Sequence, residues 1–172
     1  MKKELLISAF CLCTALPAAA EEVTCRDFPD GDPVQMEIIE SHITGDVHNA
    51  LYFDPNNHNL AVMMCGSSLF WVAESGLTRE AYKYDNGPDY FSEGLARTVN
   101  EEGQVGFVDS DLEIAIAPQF DAAHAFMNGQ AIVGRVINGQ THVATIDPAG
   151  GQITEFEAVG EKDNPFRLAP IN

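Results

Sequence analysis

Two groups of acidic side chains are the first candidates for chemistry in this 172-residue sequence. They are Asp27, Asp30 and Asp32 near the N-terminus, and Asp109, Asp111 and Glu113 further along the chain. Calcium binds six to eight oxygen ligands, which closely spaced carboxylates in a loop can supply. Neither group has the spacing of an EF-hand loop, and an aspartate in a turn ordinarily accepts hydrogen bonds from its own backbone. We therefore expect turn capping, with an acidic calcium-binding protein as an alternative.

Nucleophilic catalysis has fewer candidates. Ser67 and Ser68 follow Gly66 in a turn-like stretch, but the sequence lacks a G-x-S-x-G nucleophile elbow. Asp121 and His124 would complete a triad with Ser67 only if the fold brought the three together, because triads are defined by geometry and not by sequence order. An envelope hydrolase with such dispersed catalytic residues is a second alternative.

Other kinds of site lack their sequence signatures. The five histidines form no H-E-x-x-H pair, and neither a glycine-rich phosphate loop nor a basic patch with interleaved aromatic residues occurs. The chain has 9 Lys+Arg against 26 Asp+Glu, a formal charge of −17, which opposes binding to nucleic acid. The sequence thus predicts no catalytic residue, no cofactor and no metal ligand in its leading interpretation.

Aromatic side chains suggest binding instead of catalysis. Trp71, Tyr84 and Tyr90, with Tyr82 between them in sequence, form a possible surface that stacks against a sugar or a peptide. The alternative is that these rings belong to the core, which is the more common place for aromatic residues in β-repeats. The partner of such a surface is an unknown protein or small ligand.

A sequence repeat organises the segments that would position these residues. FSEGLA, which begins at Phe91, returns as FMNGQA at Phe126, 35 residues later, and the same offset joins Gly94 to Gly129. Short strand-like runs alternate with turn residues along the chain, which is typical of a β-meander. A single unit of this length cannot bury both of its faces, whereas stacked neighbours can.

The remaining pattern also favours β structure. Asn138-Gly139 is a strong signal for a two-residue type I′ hairpin. No window longer than about a dozen residues has the apolar period of a helix, although Ala122–Met127 could form one helical turn. We predict an all-β fold of antiparallel β-hairpin repeats, a meander or solenoid-like stack of about three units.

The clearest unit, residues 90–134, resembles the WG-repeat family. A typical unit there reads F-x-(D/E)-G-x-A, W-G-(F/Y)-(I/V)-(D/N), a turn, an aliphatic strand and P-x-(F/Y)-(D/E). The matching residues are Phe91, Glu93, Gly94, Ala96, Gly106, Phe107, Val108, Asp109, Pro118, Phe120 and Asp121, and Phe126 and Gly129 open the next copy. Val105 stands where the family has its tryptophan. Because members mostly lack an assigned activity, the resemblance implies a fold and not a reaction.

Degraded copies flank this unit, so the resemblance extends over about Leu51–Phe156. One copy runs from Leu69 to Gly94 and contains Trp71, and in the other Asp147 takes the place of Asp109. Within the pattern, we expect glycines where the backbone needs a positive φ or a close approach, and phenylalanines at the seams between units. These residues are Gly94, Gly106, Gly129, Phe91, Phe107, Phe120 and Phe126. The recurring acids Glu93 and Asp121 are expected to cap the backbone.

The N-terminus has the pattern of a secretory signal peptide. Lys2 and Lys3 precede an apolar run from Leu5 to Leu16, and Ala18-Ala19-Ala20 offers a small-residue cleavage site. The apolar run is shorter than the roughly 20 residues that span a bilayer. We predict a signal peptide over residues 1–20, cleavage after Ala20, and a single exported domain over residues 21–172 that is periplasmic or secreted and not inserted in a membrane.

Cysteine usage agrees with export. Only Cys25 and Cys65 follow the predicted signal peptide, and an even pair in an exported protein suggests one disulfide. Two unpaired buried thiols are the alternative. The sequence therefore favours an exported, non-enzymatic β-repeat module that binds a protein or a ligand.

Overall fold

The structure is a computed structural model that describes residues 21–39, 41–44 and 51–167. Within these ranges the regular structure is β, apart from one 3₁₀ turn at Glu161–Asp163. Every strand pairing is antiparallel, and most join consecutive strands through a turn. The predicted all-β fold of antiparallel hairpins is confirmed. Residues 1–20 lie outside the described ranges, so the signal peptide and its cleavage site stay predictions.

Fifteen strands form four sheets in the described residues. In chain order they are β1 (Glu21–Asp27), β2 (Val34–Ile39), β3 (His42–Thr44), β4 (Ala61–Cys65), β5 (Ser68–Val72), β6 (Thr78–Glu80), β7 (Lys83–Tyr84), β8 (Gly87–Pro88), β9 (Leu95–Val99), β10 (Val105–Asp109), β11 (Ile114–Phe120), β12 (Ala122–Ala123), β13 (Ala131–Ile137), β14 (Gln140–Ile146) and β15 (Glu157–Ala158). The sheet orders are β3-β2-β1-β4-β5-β6, β11-β10-β9, β12-β13-β14-β15 and β7-β8.

The six-stranded sheet curls until its two edges nearly meet. A β-bridge joins His42 to Leu77, and the Thr78 N–H donates to the Ser41 carbonyl at 2.7 Å. Its enclosed core is apolar and includes Cys25, Met36, Ile43, Leu51, Ala61, Met63 and Val72. This closure protects an edge that would otherwise expose unpaired backbone groups.

Three meanders repeat along the chain: β4–β6, β9–β11 and β13–β15. Each is preceded by a tight turn with two residues at positive φ, and these turns lie 35 residues apart: His58-Asn59, Glu93-Gly94 and Asn128-Gly129. In the first strand of each meander, an equivalent carbonyl accepts a hydrogen bond from the segment that leads into the unit. The donors are the N–H groups of Phe28, Tyr82 and His124, and the acceptors are the carbonyls of Val62, Arg97 and Ile132, at 2.8, 3.0 and 2.9 Å. The sequence repeat is therefore a structural repeat of three units.

A second turn recurs between the middle and last strands of each unit. It spans Ala73–Leu77, Asp109–Glu113 and Asp147–Gly151, and in each case the first residue's N–H donates to the last residue's carbonyl, at 2.9, 3.0 and 2.8 Å. The Asp109 Oδ1 accepts the N–H groups two and four residues later, at 3.0 and 2.9 Å, and the Asp147 Oδ1 does the same at 3.0 and 2.7 Å. Asp147 is therefore the structural equivalent of Asp109, and each of the two side chains caps its own turn.

Aromatic rings fill equivalent seams between units. Phe91 packs against Trp71 with ring centroids 5.4 Å apart, and Phe126 packs against Phe107 at 4.8 Å. In both pairs, the partner ring lies on the middle strand of the preceding unit. Phe120 joins Phe107 and Phe126 in the larger core. The aromatic positions therefore recur because adjacent units bury one another's faces.

Three glycines of the repeat have the two predicted roles. Gly94 and Gly129 adopt φ of +83° and +76°, which L-residues rarely do. Gly106 instead allows a close approach, since a Cβ there would lie 2.5 Å from both the Ile116 carbonyl oxygen and the Pro118 nitrogen.

Each unit takes its leading strand from the chain that precedes it. Past β6, Ala81 pairs with Thr98 of the second unit, and β12, which follows β11, pairs with β13 of the third. The stretch Ala122–Met127 therefore begins as a strand, and the predicted helical turn is wrong. For the first unit β1 supplies the leading strand, and a disulfide joins its Cys25 to Cys65 of β4. The predicted disulfide is confirmed.

Candidate functional site

A cleft of about 990 Å³ opens where the segments leading into the second and third units meet. Residues 82–92, here the Tyr82 segment, form one wall. Residues 122–127, the Ala122 segment, form the opposite wall, and the tail residues 165–167 extend it. The repeat creates this geometry, because both walls are the leading segments of neighbouring units. Arg97 of β9 lies between them.

A buried ion pair forms the floor of the cleft. The Arg97 Nε and Nη2 donate to the two carboxylate oxygens of Asp89 at 2.8 and 2.7 Å, and the Arg97 backbone N–H donates to the same carboxylate at 3.0 Å. The Arg97 Nη1 donates to the Ala123 carbonyl on the opposite wall, at 2.9 Å. The side chains are only 9% and 3% exposed. This two-pronged geometry fixes the guanidinium and ties the two walls together.

Tyrosine rings surround the Arg97 guanidinium. Its central carbon lies 4.3 Å from the Tyr82 ring centroid and 5.7 Å from that of Tyr84, so it contributes cation–π contacts to both. Tyr84 and Tyr90 stand edge to face with centroids 6.4 Å apart. They are 53% and 72% exposed. The cleft therefore presents two solvent-accessible rings on a rigid, charge-paired base.

The tail supplies the far end of the second wall. The His124 Nε2 lies 3.3 Å from the Pro165 carbonyl oxygen, and the His124 ring packs edge to face on Phe166 at 4.9 Å. Phe166 covers Gly134 so closely that a Cβ at residue 134 would lie 2.6 Å from its ring. The Asn164 side chain donates to the Thr141 hydroxyl at 3.3 Å. These contacts dock the tail against the third unit.

Only two of the three residues predicted to form a binding surface lie in the cleft. Tyr84 and Tyr90 both line the cleft, so these two rings belong to one surface. Trp71 is 0% exposed and belongs to the core between the first and second units, so it is removed from the possible binding surface. The first and second units together cover its ring completely. Arg97 and Asp89 were missed, although a lone arginine within the apolar strand LARTV is an unusual feature.

The residues of the possible hydrolase have separate partners. The Asp121 carboxylate accepts the Val136 N–H at 2.6 Å, while His124 contacts the tail. The Ser67 carbonyl accepts a hydrogen bond from the Lys83 ammonium group. No hydrogen bond joins any two of these three described residues. The fold gives this triad no support.

The carboxylates considered for other chemistry serve the backbone. Glu93 accepts the N–H groups of Asn128 and Gly129 at 2.7 and 2.9 Å, so it clamps its own unit to the turn of the next. The Asp27 Oδ1 accepts the Tyr52 N–H at 3.3 Å. Across residues 21–39, 41–44 and 51–167, no cluster of three histidine, cysteine, aspartate or glutamate side chains could hold a metal ion. One aspartate from each acidic group, Asp27 and Asp109, therefore accepts hydrogen bonds from the backbone.

A second depression of about 860 Å³ lies elsewhere, between β6, β11 and the turn after β9. Arg79 lines it together with Glu80, Glu101 and Glu102. The Arg79 Nη1 donates to the Thr78 carbonyl at 2.9 Å. Three acids and one base give this depression the acidic character of the chain as a whole.

Comparison with known proteins assigns no relative. No protein-family model, curated protein or solved structure matches this chain. None of the helical structure in the described residues is long and apolar enough to cross a membrane.

Proposed function

We propose that this protein is an exported, non-enzymatic β-repeat module that binds a partner protein or a small ligand in the periplasm or outside the cell. The observation that supports this proposal best is the exposed pair of rings, Tyr84 and Tyr90, held above the buried Arg97–Asp89 pair. Tyrosine and arginine are enriched among the residues that dominate binding energy, since they offer large, rigid contact areas with polar ends.

The floor of the cleft suits binding better than proton transfer. Both Asp89 oxygens already accept hydrogen bonds from Arg97, and the guanidinium is held by three acceptors. A general acid or base needs a hydrogen-bonding position open to its substrate. Groups that satisfy one another instead hold the walls of a preformed site, which lowers the entropic cost of binding.

Export is supported by independent features. The Cys25–Cys65 disulfide is the kind of bond that persists in oxidising compartments such as the periplasm. The basic and apolar residues before Ala20 have the order of a signal peptide. The resemblance of residues 90–134 to WG repeats agrees with a stacked architecture, and repeat proteins commonly use their extended surfaces for binding.

Nuclear magnetic resonance on the mature chain would test the proposal. A panel of short peptides and neutral oligosaccharides would be added to ¹⁵N-labelled protein, and a true ligand should shift the amide signals of the Tyr82 and Ala122 segments. Tyr84→Ala and Tyr90→Ala should each weaken that ligand at least about tenfold, as expected for interface hot spots.

Tyr52→Ala is the matched control, because Tyr52 is 65% exposed and does not line the cleft. It should leave the affinity unchanged. Ligand binding that survives both cleft substitutions in folded protein, or signals that shift only outside the cleft, would contradict the proposal.

A further inference from the structure

Resting on the proposed binding function, we infer that the cleft selects an extended acidic peptide segment of a partner protein. The charge distribution is the first observation. Lys83, Arg97 and Arg167 line the cleft with only Asp85 and Asp89, so bases outnumber acids three to two. The whole chain has 9 bases and 26 acids. The cleft therefore reverses the sign of its surroundings.

Pairing within the cleft leaves the reversal in place. Arg97 and Asp89 neutralise each other, so two bases, Lys83 and Arg167, remain against one acid, Asp85. Lys83 belongs to the Tyr82 segment and Arg167 to the tail, and both are exposed. No carboxylate among the described residues forms an ion pair with either of them. The Lys83 ammonium donates one hydrogen bond to the Ser67 carbonyl, which leaves two N–H groups for a carboxylate of the ligand. Arg167 offers its guanidinium from the other wall.

The acidic remainder of the protein does not remove this preference. At physiological ionic strength the Debye length is about 8 Å, so distant surface carboxylates are screened, while charges inside the cleft act at contact distance. The second depression gives an internal comparison, because Arg79 there is surrounded by Glu80, Glu101 and Glu102. An acidic ligand should therefore distinguish the two concavities of the same protein.

The shape of the cleft favours an extended peptide over a compact ligand. Its volume of about 990 Å³ lies at the upper end of the range of about 300–1,000 Å³ for small-molecule sites. β12 is the edge strand of its sheet, and the small side chains of Ala122 and Ala125 line the cleft beside it. Small side chains beside a strand edge leave room for another main chain to approach. Tyr84 and Tyr90 can then contact its side chains.

Fluorescence anisotropy with three labelled peptides would test this inference. The peptides share glycine, serine, tyrosine and proline positions and differ only in carrying several glutamates, glutamines or lysines. At 0.15 M salt the glutamate peptide should bind most tightly. Lys83→Glu and Arg167→Glu should each weaken it about three- to fivefold, which corresponds to about 0.7–1 kcal/mol and lies at the upper end of what an exposed ion pair contributes.

Lys162→Glu provides the matched control, since it makes the same change in net charge at an exposed lysine outside the cleft. It should change the dissociation constant less than about twofold, as expected for a remote screened charge. Tightest binding by the lysine peptide would overturn the inference, because it would mean general attraction to an acidic protein. An equal loss in all three variants would do the same.

A neutral oligosaccharide separates this inference from the proposed function. If it binds through Tyr84 and Tyr90 while no peptide binds, the cleft is a binding site but not for acidic peptides. If nothing in the panel binds, both proposals fail. Circular dichroism of each variant confirms that lost binding does not reflect lost structure.

Discussion

Replacing Asp89 with alanine would leave the Arg97 guanidinium buried without its anionic partner. Three of the four hydrogen bonds that Arg97 donates end on the Asp89 carboxylate, and the Ala123 carbonyl would be the acceptor that remains. The Arg97 side chain is 9% exposed and the Asp89 side chain 3%, so water cannot easily replace the lost hydrogen bonds. We expect the substitution to be among the most destabilising in the chain.

The magnitude follows from the cost of an uncompensated buried charge. Removing one partner of a buried ion pair typically costs about 3–5 kcal/mol. In a domain of this size, 1 kcal/mol lowers the melting temperature by about 2–4 °C, so the expected decrease is roughly 6–20 °C. Removing both charges together, with Asp89→Leu and Arg97→Met, should cost much less, because apolar residues of similar volume often replace a buried pair with little loss.

Urea denaturation followed by circular dichroism measures these free energies. Asp111→Ala is a suitable control, since Asp111 is exposed, and it should change stability by less than about 0.5 kcal/mol. A cost below about 1 kcal/mol for Asp89→Ala would contradict an uncompensated buried charge, and so would a double replacement that costs as much as the single one.

Three further predictions concern the stability of the fold. Removing the disulfide with Cys25→Ala and Cys65→Ala should lower the free energy of unfolding by about 3–4 kcal/mol. Reducing the disulfide of the unsubstituted chain should lower it by the same amount, as measured by urea denaturation with and without reductant. Gly106→Ala should cost about 1–3 kcal/mol in the same assay, because its methyl group would meet the Ile116 carbonyl at 2.5 Å; an unchanged midpoint would contradict the close approach. Glu93→Ala should lower the free energy of unfolding by about 1 kcal/mol, because two backbone N–H groups lose their acceptor. Glu93→Gln should lower it less, since its amide oxygen can still accept. Equal stability of the native chain and these two variants would contradict the role of Glu93 as a clamp.

Local turn chemistry explains why the repeat could be predicted from the sequence. Asn138 and Gly139 adopt φ of 52° and 77°, as a two-residue type I′ hairpin requires. Asp109 and Asp147 cap their own turns, which depends only on the next four residues. Such features are encoded within a few positions of the chain. The repeat of 35 residues in the sequence therefore predicted turns that recur every 35 residues in the structure.

Long-range pairing explains what could not be predicted. The burial of Trp71 depends on a neighbouring unit covering it, and nothing adjacent in sequence distinguishes a seam ring from an exposed one. Ala122–Met127 is rich in helix-favouring residues, yet pairing of Ala122 with Gly134 makes it begin as a strand. The Arg97–Asp89 pair likewise became visible only once β9 and the Tyr82 segment were folded together.

The passing of strands from one unit to the next has a consequence for how the chain could be cut or lengthened. A fragment beginning at Phe126 would contain the third meander but lack β12, leaving β13 with an unpaired side. A duplication beginning at FSEGLA would have the same defect at its new junction. A copy that preserves every pairing would have to begin after the last strand of one meander, with the leading strand of the next unit, and end with the last strand of that unit. Such a copy is out of phase with the motif that is visible in the sequence.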